Sequence, residues 1–133
     1  MAKTSGVGWT TLSVDTSSGT PTDIRNDVTN FNFATPRAVQ DVTGVDKSAM
    51  ERLPLLGDFN GTLNGVFNAS LSHTVFSTIT TSSAARTLSL GVAGVSLPNE
   101  VLLTDYQITR GNDGALTWSV PFSLSDGTVP TWA

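Results

Sequence analysis

The 133-residue chain has no cysteine, a single histidine, a single tyrosine, and charged side chains at only 14% of positions. Without cysteine there can be no disulfide and no thiolate metal site. One imidazole leaves metal binding without a second nitrogen ligand, and the D-x-D-x-D-G pattern of a calcium loop does not occur. Seven Lys and Arg against eleven Asp and Glu give a net charge of -4, the wrong sign for a protein that neutralises phosphates. No apolar run approaches the roughly 20 residues that span a bilayer, and Met1 to Gly6 has no signal-peptide core. The expectations are no membrane partner, no metal, no cofactor, and synthesis in a cytosol.

What the chain has instead is hydroxyl and amide: 20 Thr and 15 Ser, about a quarter of all residues. Ten aromatics and 38% apolar content argue for a folded core, and the length suits one domain, residues 1–133. Few charges on so polar a surface suit a protein whose surface is largely covered by other copies.

The clearest pattern is alternation. Val101 to Leu124 reads as a β-hairpin around the turn Gly111-Asn112-Asp113-Gly114. One face carries Leu102, Tyr106, Ile108, Leu116, Trp118, Val120, Phe122 and Leu124; the other carries Asp105, Gln107, Thr109, Thr117, Ser119 and Ser123. The same division recurs twice. Thr29, Phe31 and Phe33 fall on one face and Val28, Asn30 and Asn32 on the other, and Phe59, Leu63 and Phe67 alternate with Asp58, Asn60, Thr62 and Asn64. The apolar residues of the first set in each pair are the predicted core. No polar set holds a lysine or arginine, whereas an ordinary wet sheet face mixes both signs of charge. Such a face suits the wall of an aqueous channel.

Other strands are expected at Trp9 to Asp15, up to Phe33 after a turn ending at Pro21, and at Arg86 to Val92. Residues 34–57 read as a long inter-strand loop with a short helix, since Thr43-Gly44-Val45-Asp46 resembles a capping box and Pro54 would stop two turns from Asp46 to Leu53. Leu71, Val75, Phe76 and Ile79 fall at helical spacing, giving a second short helix at about Ser70 to Thr80. Residues 125–133 read as an extended C-terminal arm.

Catalytic chemistry finds little support. His73 has no Asp nearby in sequence, and there is no G-x-S-x-G elbow. Asp23 and Asp27, or Glu51 and Asp58, are read more simply as partners of Arg25, Lys47 or Arg52 than as acid-base pairs. The chain is expected not to be an enzyme.

In order and spacing, Asp23 to Phe33, Asp41 to Lys47 with Glu51-Arg52-Leu53, Asp58 to Phe67, and Leu103 to Trp118 resemble the major tail tube proteins of long-tailed bacteriophages, the actinobacterial type in particular. The resemblance implies a mainly β fold, an antiparallel β-sandwich or partial barrel with one or two short flanking helices, in which four strands per subunit join a ring-shaped inner β-barrel of six copies. Rings stack into a tube in the virion tail, and genome DNA passes through without specific binding. The implied partners are the chain itself and other tail proteins such as tape measure, tail tip and terminator. The polar sets would face the lumen. The 34–57 excursion would touch the next ring, with Arg37, Asp41, Asp46, Lys47, Glu51 and Arg52 setting register. The competing expectations are a capsid decoration or tail-terminator protein, and a small β-sandwich surface or carbohydrate-binding module using Trp9 and Trp132.

Overall fold

The computed structural model describes residues 3–133, so the first two positions of the expected domain lie outside it. Among the described residues ten strands and one helix follow in the order β1 (Thr11–Asp15), β2 (Pro21–Asp23), β3 (Val28–Ala34), β4 (Arg37–Asp41), β5 (Arg52–Gly57), β6 (Asn60–Val66), α1 (Ser72–Phe76), β7 (Arg86–Val92), β8 (Val95–Leu103), β9 (Gln107–Arg110) and β10 (Leu116–Leu124). The fold is mainly β and wholly antiparallel, as expected. One eight-stranded sheet runs β2-β1-β7-β8-β10-β6-β3, with β9 also paired to β10. It does not close into a barrel.

The sheet bends back on itself so that its two halves share a core. Leu12 and Val14 of β1, Leu88 and Leu90 of β7, and Leu97 and Val101 of β8 meet Phe59, Leu63, Trp118, Val120 and Phe122 from the other half, all buried. Each contributes by the period-2 rule, every second residue facing inward. On β6 the inward row is Gly61, Leu63, Gly65. Phe122 and Trp118 lie directly across from the two glycines, and a Cβ at Gly65 would come within 2.5 Å of the Trp118 ring. The missing side chains are what let both aromatic rings lie flat over the strand.

The short helix near Ser70 is present but covers only Ser72–Phe76. Val75 and Phe76 plug one end of the core, with the Phe76 ring 4.9 Å from Trp118. Two buried charges tie this plug down. Asp27 accepts hydrogen bonds from the Ser72 backbone N–H at 3.0 Å and from Asn68 Nδ2 at 3.1 Å. Arg86, 2% exposed, donates to the Val75 carbonyl at 2.7 Å and to Thr78 Oγ1 at 2.8 Å. Desolvation pulls the Arg86 pKa below its ordinary value.

The expected helix within 34–57 is not there. The segment is a second two-stranded sheet, β4 with β5. Arg37 pairs with Gly57 and Asp58 N–H bonds to the Pro36 carbonyl, so this ribbon prolongs the β3–β6 ladder outward. Thr43 does not cap a helix: its hydroxyl accepts the Glu51 N–H at 2.7 Å and closes the loop between the two strands. Cross-strand pairing outweighs a weak local helix signal, because two turns are too few to be stable alone. The C-terminal arm lies against β8, where Ala133 and Ser96 exchange two backbone hydrogen bonds.

Candidate functional site

Strands β3, β6, β10 and β9 form a contiguous four-strand sheet whose outer face is the polar set. Register places Asn30, Asn64, Ser119 and Gln107 in one row across all four strands. Asn32 stands beside Thr62, Asn60 beside Ser123, and Thr117 beside Thr109. Asn64 Nδ2 donates to Asn30 Oδ1 at 2.9 Å. A shallow cleft of about 380 Å³ lies over this face, lined by Thr29, Asn30, Asn64, Gln107, Thr117 and Ser119 among others. No charged side chain occupies a paired position on it.

Three of the residues assigned to this face lie elsewhere. A bulge between Val28 and Asn30 breaks the register; Val28 therefore stands opposite Gly65 and packs on the core, and Thr29 takes the polar side, its hydroxyl bonded to the Asn64 carbonyl. A bulge inserts one residue and reverses the alternation before it. Asp58 precedes β6, and its carboxylate accepts its neighbour's N–H, from Phe59, at 2.8 Å. Asp105 falls in the break between β8 and β9. That break splits the expected first arm of the hairpin. Pro121 of β10 sits opposite it, with no N–H to offer a partner strand, and its carbonyl accepts from Thr104. Beyond the break the phase is out by one: Ser119 pairs with Gln107 but Ser123 with Leu102. Leu102 thus joins the polar face at 42% exposure instead of the core.

The predicted core is buried at Phe59, Leu63, Trp118, Val120 and Phe122, while Phe31, Phe33 and Tyr106 are half-buried against it. Phe67 is half-buried outside that cluster, its ring 5.0 Å from His73, whose Nδ1 lies 3.2 Å from the Tyr106 hydroxyl. Burial pushes the Tyr106 pKa up. Ile108 and Leu116 are not buried: they have the inward phase, but the β9–β10 ribbon runs past the end of the core, leaving them 45% and 38% exposed.

The β4–β5 ribbon presents Arg37, Asp41, Asp46, Lys47, Glu51 and Arg52 on its exposed surface. Most of these charges are locally engaged. Arg37 Nε bonds to the Leu55 carbonyl at 2.9 Å, Lys47 pairs with Asp46 at 3.2 Å, and the Thr43 hydroxyl and N–H hold the Asp41 pKa below the ordinary range. Sequence reasoning missed the ribbon's apolar surface. Val39, Val45, Leu53 and Leu56 are exposed, Val45 and Leu56 almost fully. Among the described residues no group of three or more His, Cys, Asp or Glu is placed to hold a metal, and no helix is long and apolar enough to cross a membrane.

No family model matches the sequence, and no curated protein matches it. The fold has known counterparts. A chain in the virion of a native gene transfer agent particle superposes with a TM-score of 0.75 at 11% identity, over 90% of this chain and 95% of that one. A chain in the tail of an empty gene transfer agent particle, determined with helical refinement and C6 symmetry, superposes with a TM-score of 0.69 at 12% identity, over 92% and 93%. At such identities the likeness is one of fold, and it extends over nearly the whole of each chain.

Proposed function

We propose that the chain is a structural tail protein of a phage-like particle, and specifically a tail tube protein. Six copies close into a ring, rings stack into a tube, and the uncharged face of β3, β6, β10 and β9 lines its lumen. The observation that carries this reading is the four-strand polar face without a lysine or arginine, bounded by two strands, β3 and β9, that each have one unpaired edge. Support comes from the fold shared with a chain of a C6-symmetric helical tail. Twenty-four strands would enclose an open channel, since 16 to 18 already do. DNA would pass a wall of neutral dipoles that hydrates phosphates without binding them.

The β4–β5 ribbon would then reach the next ring. Its exposed apolar residues supply area for that contact, and its charges supply orientation. Contacts that close laterally and propagate axially give a filament of rings. Tape measure, tail tip and terminator proteins are the expected companions, the virion tail the location, and the host bacterial cytoplasm the place of synthesis. The role is non-enzymatic.

Negative-stain imaging of the purified protein tests this directly. Hollow tubes with a six-fold end view are expected. Closed rings that never elongate would point instead to a decoration or terminator protein, and a monomer at all concentrations would refute assembly.

A further inference from the structure

Along the free edge of β3 the structure has a groove of about 630 Å³ whose apolar wall, on the side opposite the polar face, is Trp9, Leu12, Val28, Phe31 and Phe33, and whose rim carries Arg25, Asn30 and Asn32. Its walls are ordered aromatics: Trp9 meets Phe31 edge-on at 4.9 Å, and Phe31 stacks with Phe33 at 6.3 Å. At the other end of the same sheet, Ile108 and Leu116 of β9 and β10 stay partly exposed on the core side, with Arg110 paired to Leu116 at the end of β9. We infer that the groove is the seat for Ile108 and Leu116 of the neighbouring copy. This rests on the ring reading above and adds to it which side chains join the subunits.

Strand direction and side-chain phase both favour this occupant. Each of the pairs β9–β10, β10–β6 and β6–β3 is antiparallel. With four alternating strands per copy, the next copy's β9 arrives beside β3 antiparallel as well, and the alternation continues around a ring with no parallel junction. Phase follows in step. Gln107 and Thr109 continue the polar rows of Asn30 and Asn32, so Ile108 falls on the opposite side, over the groove. Side chains on adjacent strands stand about 4.5 to 5.5 Å apart at Cβ, which brings Ile108 against Phe31 or Phe33. Leu116, on the strand behind, extends the same apolar surface. Solitary edges normally carry charge or proline to deter pairing. β3 carries neither, which fits an edge that is covered in the working protein.

The absence of cysteine makes the test clean. Ile108→Cys is combined with Phe31→Cys in one chain, and with Phe33→Cys in another, and each is oxidised mildly in the assembled state. Facing positions whose Cα atoms lie about 4.4 to 6.8 Å apart can bridge. One of the two pairs should give a ladder of cross-linked species ending at six on a non-reducing gel, while the single-cysteine variants give none. Because Phe31 and Phe33 also pack on the core, Ile108→Asp serves as a second variant. Its thermal melt should match the unsubstituted protein, since the side chain is exposed in one copy, yet it should need more than about tenfold higher concentration to assemble, because a buried unpaired charge is costly. Tubes that form without a ladder from either pair, or Ile108→Asp that assembles at the usual concentration, would overturn the groove assignment and leave the tube intact. A six-membered ladder without tubes would do the reverse.

Discussion

Asn64 and Asn30 face each other across the β6–β3 pair, the amide of one donating to the carbonyl of the other at 2.9 Å. The two side chains satisfy part of each other's hydrogen-bonding capacity and leave only neutral dipoles toward solvent. Ser119 and Gln107 continue that row, so the whole width of the sheet is polar without being charged.

Thr117→Lys places an ammonium group on this face. In a six-fold ring it would become six charges per layer. Each lysine–phosphate contact adds a salt-dependent contribution with a log-log slope of about 0.9 on duplex DNA, so tails of normal length should form, adsorb, and eject DNA slowly, with partial rescue at high salt. Ejection kinetics followed by dye release in a phage-like particle carrying the variant decide this; unchanged kinetics would mean that Thr117 does not line the DNA path.

Replacing 38–54 with a short Gly-Ser linker removes the β4–β5 ribbon and leaves the core residues in place, since none of the fully buried apolar side chains comes from this segment. The variant should stay folded by circular dichroism and fail to elongate in negative stain. Tubes of ordinary length from it would remove the ribbon from the axial contact.

Trp118 and Ile108 are directly paired and have the same phase, but only Trp118 is buried, where its Nε1 also donates to the Val66 carbonyl at 2.9 Å. Trp118→Ala should cost about 3 to 5 kcal/mol in a denaturant titration. Ile108→Ala should change the stability of the single chain by less than about 1 kcal/mol.

Asp23 receives the guanidinium and backbone N–H of Arg25, which hold its pKa below the ordinary value. A carboxylate depressed in the folded state stabilises it above the unfolded pKa, and that contribution is lost as pH falls through the folded one. Asp23→Asn should therefore be slightly less stable than the unsubstituted chain at pH 7. The gap should start to narrow at about pH 4 and vanish at lower pH. The pair is exposed, so the gap at neutral pH should be under about 1 kcal/mol. Thermal melts of both proteins across that range test the sign.

Several elements were legible because their signal is local. The Gly111 to Gly114 turn is one: Gly114 has φ +89°, and Gly111 N–H bonds to the Ala115 carbonyl at 2.8 Å. The alternation of Asn60 to Asn64 and of Thr117 to Phe122 is another. Other features depend on partners distant in sequence. The bulge at Thr29 that turns Val28 inward is set by pairing with β6, and the break at Thr104 to Tyr106 by a proline on β10. The β4–β5 ribbon arises from pairing across a loop, which overrode the capping pattern at Thr43. Arg86 had a signal that went unread: it begins the alternation Arg86, Leu88, Leu90, whose other members are all buried. Ile108 and Leu116 have the phase of core residues, and only the length of the ribbon relative to the core shows why they stay partly exposed.

The continuity of the β3–β6 ladder into the β4–β5 ribbon bears on how easily copies join. Ordering a flexible residue costs about 1 to 2 kcal/mol of backbone entropy, so an arm that folded only on contact would make every association bear that loss again. Here Asp58 is already bonded to Pro36, and Val42 to Glu51, within the single chain. The freedom is surrendered once, when the domain folds, and under the proposed stacking the ribbon would meet its partner as a preorganised finger. Growth would then proceed by docking preformed pieces, with the hundredth ring added on the same thermodynamic footing as the second.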